Sequence, residues 1–241
     1  MPDDMILVPE GEFQMGCGDA YYDGCPYWAT PLHLVYLDPY LIDKFEVTNQ
    51  QYAQCVTARG CTPPNNTGSY SRPSYYDNPS YADYPVIELV WSQAYEYCVW
   101  ANKRLPSEAE WEKAARGAND TRAFPWGDQY PDCTLANYKG DSGYCVGDTS
   151  QVGSYPAGAS PYGAMDMSGN VMEWVNDWFQ LDYYSNSPYD NPTGPDDGTT
   201  KVLRGGSWFF DYSDILIADR FHASLVYDAS TIGFRCAVDA P

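Results

Sequence analysis

Residues 98–117 read CVWANKRLPSEAEWEKAARG, and this stretch sets the first secure element. Ser107 followed three residues later by Glu110 forms a capping box, Leu105 with Trp111 supplies a hydrophobic staple, and Gly117 is placed to end a helix after Arg116. The same device stands upstream, where Thr48 with Gln51 and Val47 with Tyr52 predict a helix from Asn49 to about Thr57. Between the two, Trp91, Ala94, Tyr95 and Cys98 follow helical spacing behind Ser92 as a cap. Three short helices are expected, all in the first half of the chain.

Farther out, residues 5–8, 34–37, 40–45, 201–203 and 233–238 carry the better strand signals. The second half is punctuated by Gly, Pro, Asn and Asp, most densely over residues 185–200, where turns and loops are expected. No internal repeat interrupts this order. Helices embedded between strands and long loops give an α+β fold, read as a single domain over residues 1–241. Loops of that length need fastening by disulfides, by metal or by both.

Thirteen Lys and Arg against 33 Asp and Glu leave a net charge of −20, which repels nucleic acid, so no nucleic-acid partner is expected. Aromatic residues make up 16% of the chain, 23 of them Tyr, and this separates it from disordered acidic chains. No apolar run approaches the roughly 18 residues of a membrane span, so no membrane insertion is expected. Met1 leads into Pro2, Asp3 and Asp4 rather than into a basic and then apolar signal. The eight cysteines include three close pairs, Cys17 with Cys25, Cys55 with Cys61 and Cys133 with Cys145, leaving Cys98 and Cys236. An even count in a loop-rich acidic chain reads as disulfides formed in an extracellular, periplasmic or cell-surface setting, with any export signal removed. Zinc is the weaker alternative, because no C-x-x-C occurs and only His33 and His222 are available.

Several blocks in a fixed order carry a resemblance: residues 7–16 (LVPEGEFQMG), 44–52 (KFEVTNQQY), 98–117 with 124–127 (FPWG), 169–178 (GNVMEWVNDW), 204–208 (RGGSW) and 232–236 (IGFRC). Together they resemble the formylglycine-generating enzyme, or sulfatase-modifying-factor, family over essentially the whole chain. That resemblance implies a C-type-lectin-like domain with little regular secondary structure, bound calcium, and a disulfide joining Cys98 to Cys236. Trp100, Trp111, Trp126, Trp174 and Trp178 within these blocks read as core packing.

The resemblance breaks at the chemistry. Family enzymes carry a copper-binding cysteine pair soon after RGGSW, and here Phe210 and Ile215 fall at about those positions. Neither side chain offers a thiolate, and Asp211, Tyr212 and Ser213 are hard oxygen donors, so no copper is expected. Family relatives that use iron recruit histidines from an added helical domain, which has no counterpart in these residues. His33 and His222 form a metal site only if folding brings them together.

Calcium is the cofactor expected. By resemblance, Asp166 and Glu173 supply acids and Gly169 and Val171 supply carbonyls, an oxygen set suited to a hard cation. No cation stands between Asp166 and Glu173 in the sequence, so an empty site would leave two carboxylates repelling one another. A second family site resembles Asn137 and the carbonyl of Tyr138, with Asp141 or Asp148 as the acid. Asx-turn and loop-cap roles compete with these assignments.

Residues 209–231 are rich in aromatics mixed with charge, the composition of a contact surface. In the family this region walls the substrate groove. Trp208, Phe210, Tyr212, Phe221 and Tyr227 are the expected anchors, with Asp211, Asp214 and Arg220 setting orientation; residues 70–84 are the alternative site. The expected activity is therefore binding of a protein, peptide or glycan by a non-catalytic, calcium-stabilised domain. The alternative is a copper-dependent oxidase acting on a peptide cysteine.

Overall fold

The structure is a computed structural model that describes residues 4–18, 25–118 and 120–241; Met1, Pro2 and Asp3 lie outside the described residues. Eleven strands are described: β1 (Met5–Val8), β2 (Gly11–Met15), β3 (His33–Leu37), β4 (Tyr40–Asp43), β5 (Lys139–Gly140), β6 (Gly143–Tyr144), β7 (Met172–Trp178), β8 (Thr200–Arg204), β9 (Phe221–Ser224), β10 (Ile232–Phe234) and β11 (Ala237–Asp239). Three α-helices lie in the first half: α1 (Asn49–Thr57), α2 (Trp91–Trp100) and α3 (Glu108–Arg116).

Two capping boxes form as the sequence predicts. Thr48 accepts the Gln51 N–H while the Gln51 carboxamide accepts the Thr48 N–H at 2.9 Å, and Ser107 and Glu110 exchange the same bonds at 3.2 and 2.7 Å. Ser92 is not the cap of α2. The N-cap is Val90, whose N–H donates to the Gln93 carboxamide at 3.1 Å. The Leu105–Trp111 staple also does not form, because Leu105 and Trp111 turn into different cores.

β4 is the centre of a three-stranded sheet, with β1 and β11 antiparallel on either side. A second sheet runs β10-β7-β8-β9, parallel at β10–β7 and antiparallel elsewhere. The 233–238 run is thus two strands in two sheets, broken at Arg235 and Cys236. The strands β2, β5, β6, β7 and β9 escape the sequence signals, and β7, at seven residues, is the longest described. Alternation along β7 and β8 divides the interior. Val175 and Val202 enter one core with α3, β2 and β3, whereas Trp174 and Leu203 enter a second with α1, α2 and β10.

The helix α3 departs most from its sequence pattern. Five of its nine residues are charged, yet all nine are buried. Glu112 pairs with Arg204 at 2.5 Å and Arg116 at 2.9 Å, Glu108 with Arg220 at 2.7 Å, and Glu110 with Arg104 at 2.6 Å. Lys113 donates to the carbonyls of Pro9 and Gly11. Burial raises the Glu108 pKa, but Arg220 and Arg204 outweigh it and hold the carboxylate below its ordinary value.

Disulfides join Cys17–Cys25, Cys55–Cys61, Cys98–Cys236 and Cys133–Cys145. The third ties α2 to the end of the chain across 138 residues, inside the second core. Such bonds persist in oxidising compartments. Among the described residues, no helix is long and apolar enough to cross a membrane.

Candidate functional site

The turn entering β7 gathers buried acids. Asp166 takes a positive φ of 60° and Gly169 one of 83°; a Cβ on Gly169 would lie 2.4 Å from the Asn137 carbonyl, so only glycine fits there. Asp166 accepts the Gly153 N–H at 2.6 Å through one oxygen, and its other oxygen is buried without a partner. Burial, reinforced by nearby Glu173, pushes its carboxyl up to about 6 although the Gly153 N–H and Arg235 oppose this. Glu46, which the sequence did not single out, completes the cluster. It accepts from the Asn170 amide at 2.8 Å and more weakly from the Val171 N–H. Burial first, then Asp166 and Glu173, pushes its carboxyl well up.

Glu173 differs from its expected role. Arg235 binds both its oxygens at 2.6 and 2.7 Å, and Trp111 donates to it at 2.9 Å. A cation therefore stands against Glu173 from a strand end 62 residues away, and the expected bare pair of carboxylates does not exist. Three acids facing one guanidinium still leave excess negative charge, and the unpartnered Asp166 oxygen is the donor best suited to a hard cation. Val171 is buried beside this turn. Among the described residues, no three His, Cys, Asp or Glu side chains converge to hold a metal, so a calcium ion here would depend on Asp166 with backbone carbonyls.

The second expected calcium set is already engaged. The Tyr138 carbonyl accepts the Cys145 N–H at 3.0 Å. One Asp148 oxygen takes Ser69 and Ser71, and the other takes the Thr149 N–H. Asp141 is exposed in the β5–β6 turn. The Asn137 amide bridges the Asp148 carbonyl and the Asn170 side chain, with its own oxygen left unpartnered. Asp148 and Asn137 tie loops together, and the Asp148 carboxylate is spent on hydroxyls and N–H groups.

The expected contact surface divides. Trp208 is buried and donates to the Ser230 carbonyl, so it floors the surface rather than projecting from it. Arg220 is also interior, with both Glu108 oxygens on its guanidinium and Phe179 and Tyr184 against its faces. It cannot orient a ligand, because burial and pairing hold it in place. Phe210 stacks on Phe221 at 5.1 Å, both half-buried against the second core. Tyr212 is half-buried beside Tyr130, and Asp211 closes an Asx turn on Ser213. Asp214 is half-buried; burial and then Asp211 and Asp219 push its carboxyl up to about 6. Tyr227 is exposed as expected.

What the sequence missed is Tyr144, and that the 70–84 loop and the 209–231 segment meet at Trp208. Tyr70 and Tyr144 approach Trp208 at 5.2 and 5.9 Å, and Phe209 packs on both Trp208 and Tyr144. Tyr70, Tyr144 and Phe209 are all exposed, so three separate segments present aromatic faces around one buried indole. In the alternative loop, only Tyr70 serves this face. Tyr75 is buried, and Tyr81 and Tyr84 pack around Arg72.

No free cysteine remains among the described residues. Ile215 is fully buried with Phe124, Ala136 and Leu216, a different cluster from that of Phe210. His33 lies against Tyr184 and His222 against Phe179, the two rings that flank Arg220, so a guanidinium and two aromatic rings stand along the path between them.

A loop-rich α+β domain fastened by disulfides, with Tyr70, Tyr144 and Phe209 gathered from separate segments around Trp208, has the C-type-lectin-like fold of formylglycine-generating type. Residues 1–240 match the family described as Sulfatase-modifying factor enzyme 1-like domain. The formylglycine-generating enzyme of Streptomyces coelicolor is 34% identical, over 98% of this chain and 89% of its own length. Serine/threonine-protein kinase Pkn1 of Chlamydia trachomatis is 35% identical over 98% of this chain, which spans 38% of that protein. The solved structure of PvdO from Pseudomonas aeruginosa superposes with a TM-score of 0.82 at 28% identity, covering 98% of this chain and 94% of that one. The chain belongs to the sulfatase-modifying-factor, or formylglycine-generating-enzyme, family.

Proposed function

We propose that this chain is an exported or surface-displayed recognition domain of the family that works by binding a protein, peptide or glycan and performs no copper chemistry. One observation carries the reading: all eight cysteines are held in disulfides, while Phe210 and Ile215 occupy the positions where the family resemblance puts the copper pair. Copper(I) needs soft sulfur donors, and neither side chain supplies one. The exposed aromatics Tyr70, Tyr144 and Phe209 form the contact face around Trp208, with Asp211 two residues on from Phe209. Such residues give large contact area at low entropic cost. A calcium ion held by Asp166, with carbonyls of the 166–173 turn, would offset the charge shared by Glu46, Asp166 and Glu173 and so stiffen the fold beneath that face.

A second reading, a copper-dependent oxidase acting on a peptide cysteine, draws its support from the formylglycine-generating enzymes among the relatives. Purified protein incubated with copper(I), oxygen and a Cys-x-Pro-x-Arg peptide separates the two. Mass spectrometry should detect no aldehyde. Turnover comparable to that of an authentic family enzyme would sink the binding reading.

A further inference from the structure

The four-stranded sheet ends at β9, and among the described residues no strand pairs with the outer side of Phe221–Ser224. An open edge presents unpaired main-chain N–H and C=O groups, and natural proteins usually blunt it with charge, proline or a cover. β9 reads Phe-His-Ala-Ser and carries neither Lys, Arg, Asp, Glu nor proline; it is four residues long and closes on a Ser224 carbonyl that accepts the Tyr227 N–H at 3.0 Å, so the open edge is short, and three exposed residues, Leu225, Val226 and Tyr227, follow it. Val226 is 81% exposed.

A pocket of about 330 Å³ opens beside this edge, lined by Met172, Leu203, Phe221, Ala223 and Tyr227 together with His222 and Ser224. Register explains its position. Leu203 pairs with Phe221 and Lys201 with Ala223, so Leu203, Phe221 and Ala223 share one face of the sheet, the face on which Trp174 and Met172 also lie. A strand added outside β9 would set every second side chain on that face, next to the pocket mouth. Beyond Tyr227, the Glu88 N–H donates to the Ala229 carbonyl at 3.2 Å, which brings Glu88 beside Asp228, whose carboxylate also accepts from the Asn65 amide; the chain's net charge is −20.

We propose that the outer edge of β9 receives an extended peptide segment of a partner protein as an added strand, with one large apolar side chain in the pocket and a flanking Lys or Arg beside Glu88 and Asp228. Main-chain pairing supplies affinity in this mode, and the pocket and acids supply selectivity. The inference rests on the binding reading above and narrows its ligand to an extended, apolar and basic polypeptide. An oligosaccharide lacks the alternating N–H and C=O groups that this edge matches.

The probe is an acetylated and amidated Lys-Thr-Val-Leu-Val-Thr-Lys peptide, titrated into the isotopically labelled full chain and followed by amide NMR shifts. Residues 221–224 and 227 should move together, and binding should weaken as salt is raised. The same peptide N-methylated along one edge should bind at least about tenfold more weakly, as should Ala223→Trp, which fills the pocket. An unchanged melting midpoint certifies that variant, and if it does not fold, the methylated peptide decides. Equal binding of the methylated peptide, shifts confined to Tyr70, Tyr144 and Phe209, no shifts at all, or self-association of the chain through β9 would each overturn strand addition. These outcomes leave the non-catalytic reading to stand or fall on the aldehyde assay.

Discussion

The helix α3 and the segment 209–227 invert the usual relation between composition and burial. The first is more than half charged and wholly interior; the second is rich in aromatics and keeps Phe209, Val226 and Tyr227 at the surface. The difference teaches that partners, rather than hydropathy, decide what this fold buries. Each glutamate of α3 meets a guanidinium delivered from elsewhere, Arg104, Arg204 or Arg220, so desolvation is offset within the lattice. Phe209 has an indole on one side and a tyrosine ring near it, and no further layer of chain over it.

The hardest blow to that contrast is Glu112→Ala. It leaves Arg204 and Arg116 fully buried with their shared carboxylate gone, and breaking one side of such a pair costs about 3–5 kcal/mol. Urea unfolding should show that loss, or the variant should not accumulate as folded protein. A change below about 1 kcal/mol would mean that water or another acid takes over the pairing.

Next in size are the disulfides. Replacing Cys98 and Cys236 together by Ala should cost about 2–5 kcal/mol, and more than replacing Cys55 and Cys61, because the first link closes 138 residues and the second six. Cys98, Cys236 and Cys55 are fully buried and Cys61 is partly buried, so greater burial adds to the longer loop in the same direction. Thermal melting of the two double variants decides it.

Much of this frame was legible because its signals are local. Thr48 with Gln51, Ser107 with Glu110 and the closely spaced cysteines each act within a dozen residues. The strand β9 was hidden because Phe221–Ser224 carries two polar residues and one alanine among four and draws its stability from pairing with β8. Pairing across long separations hid the rest. Glu173 meets Arg235 62 residues away, Glu46 meets Asn170 124 residues away, and Tyr144 meets Trp208 only after the β5–β6 hairpin folds over it. Arg220 and Trp208 looked like surface anchors because nothing near them in sequence announces Glu108 or the Ser230 carbonyl.

The acid cluster at β7 offers a smaller and more conditional effect. If calcium occupies the Asp166 turn, saturation at about a hundredfold over Kd adds roughly 2.7 kcal/mol, and chelation should lower the melting midpoint accordingly. Asp166→Asn should abolish the response while leaving Glu173 on Arg235. Identical melting with chelator and with millimolar calcium, and no copurifying ion, would show that the cluster stays neutral by holding protons instead.

Asp177 tests the charged interior by pH. Burial, then Glu108, pushes its carboxyl up to about 8 although the Glu108 N–H donates to it. The folded state therefore holds a proton that the unfolded chain has released above about pH 4, so stability should fall as pH rises from there toward 8. The slope contributed by one such group is on the order of 1 kcal/mol per pH unit. Because Asn copies the protonated carboxyl, Asp177→Asn should flatten that part of the profile. Parallel profiles for the two proteins would place the proton elsewhere.

The smallest stability effect is expected on the aromatic face, and it carries the functional side of the contrast. Phe209→Ala and Tyr144→Ala remove side chains that are nearly half exposed and anchor no core cluster, so each should change stability by no more than about 0.5 kcal/mol. Trp208→Ala, beneath them, removes a buried indole and should cost about 3–5 kcal/mol. Binding should rank differently. Central aromatic anchors usually carry about 2 kcal/mol or more of an interface, so a partner recovered with the wild-type chain should lose affinity for the Phe209 and Tyr144 variants although both stay folded. Measuring melting and binding on the same preparations separates the roles. If Phe209→Ala melts several degrees lower while affinity per folded molecule is unchanged, the face belongs to the core, and the exposed edge at β9 becomes the remaining surface on which a ligand of this domain would be sought.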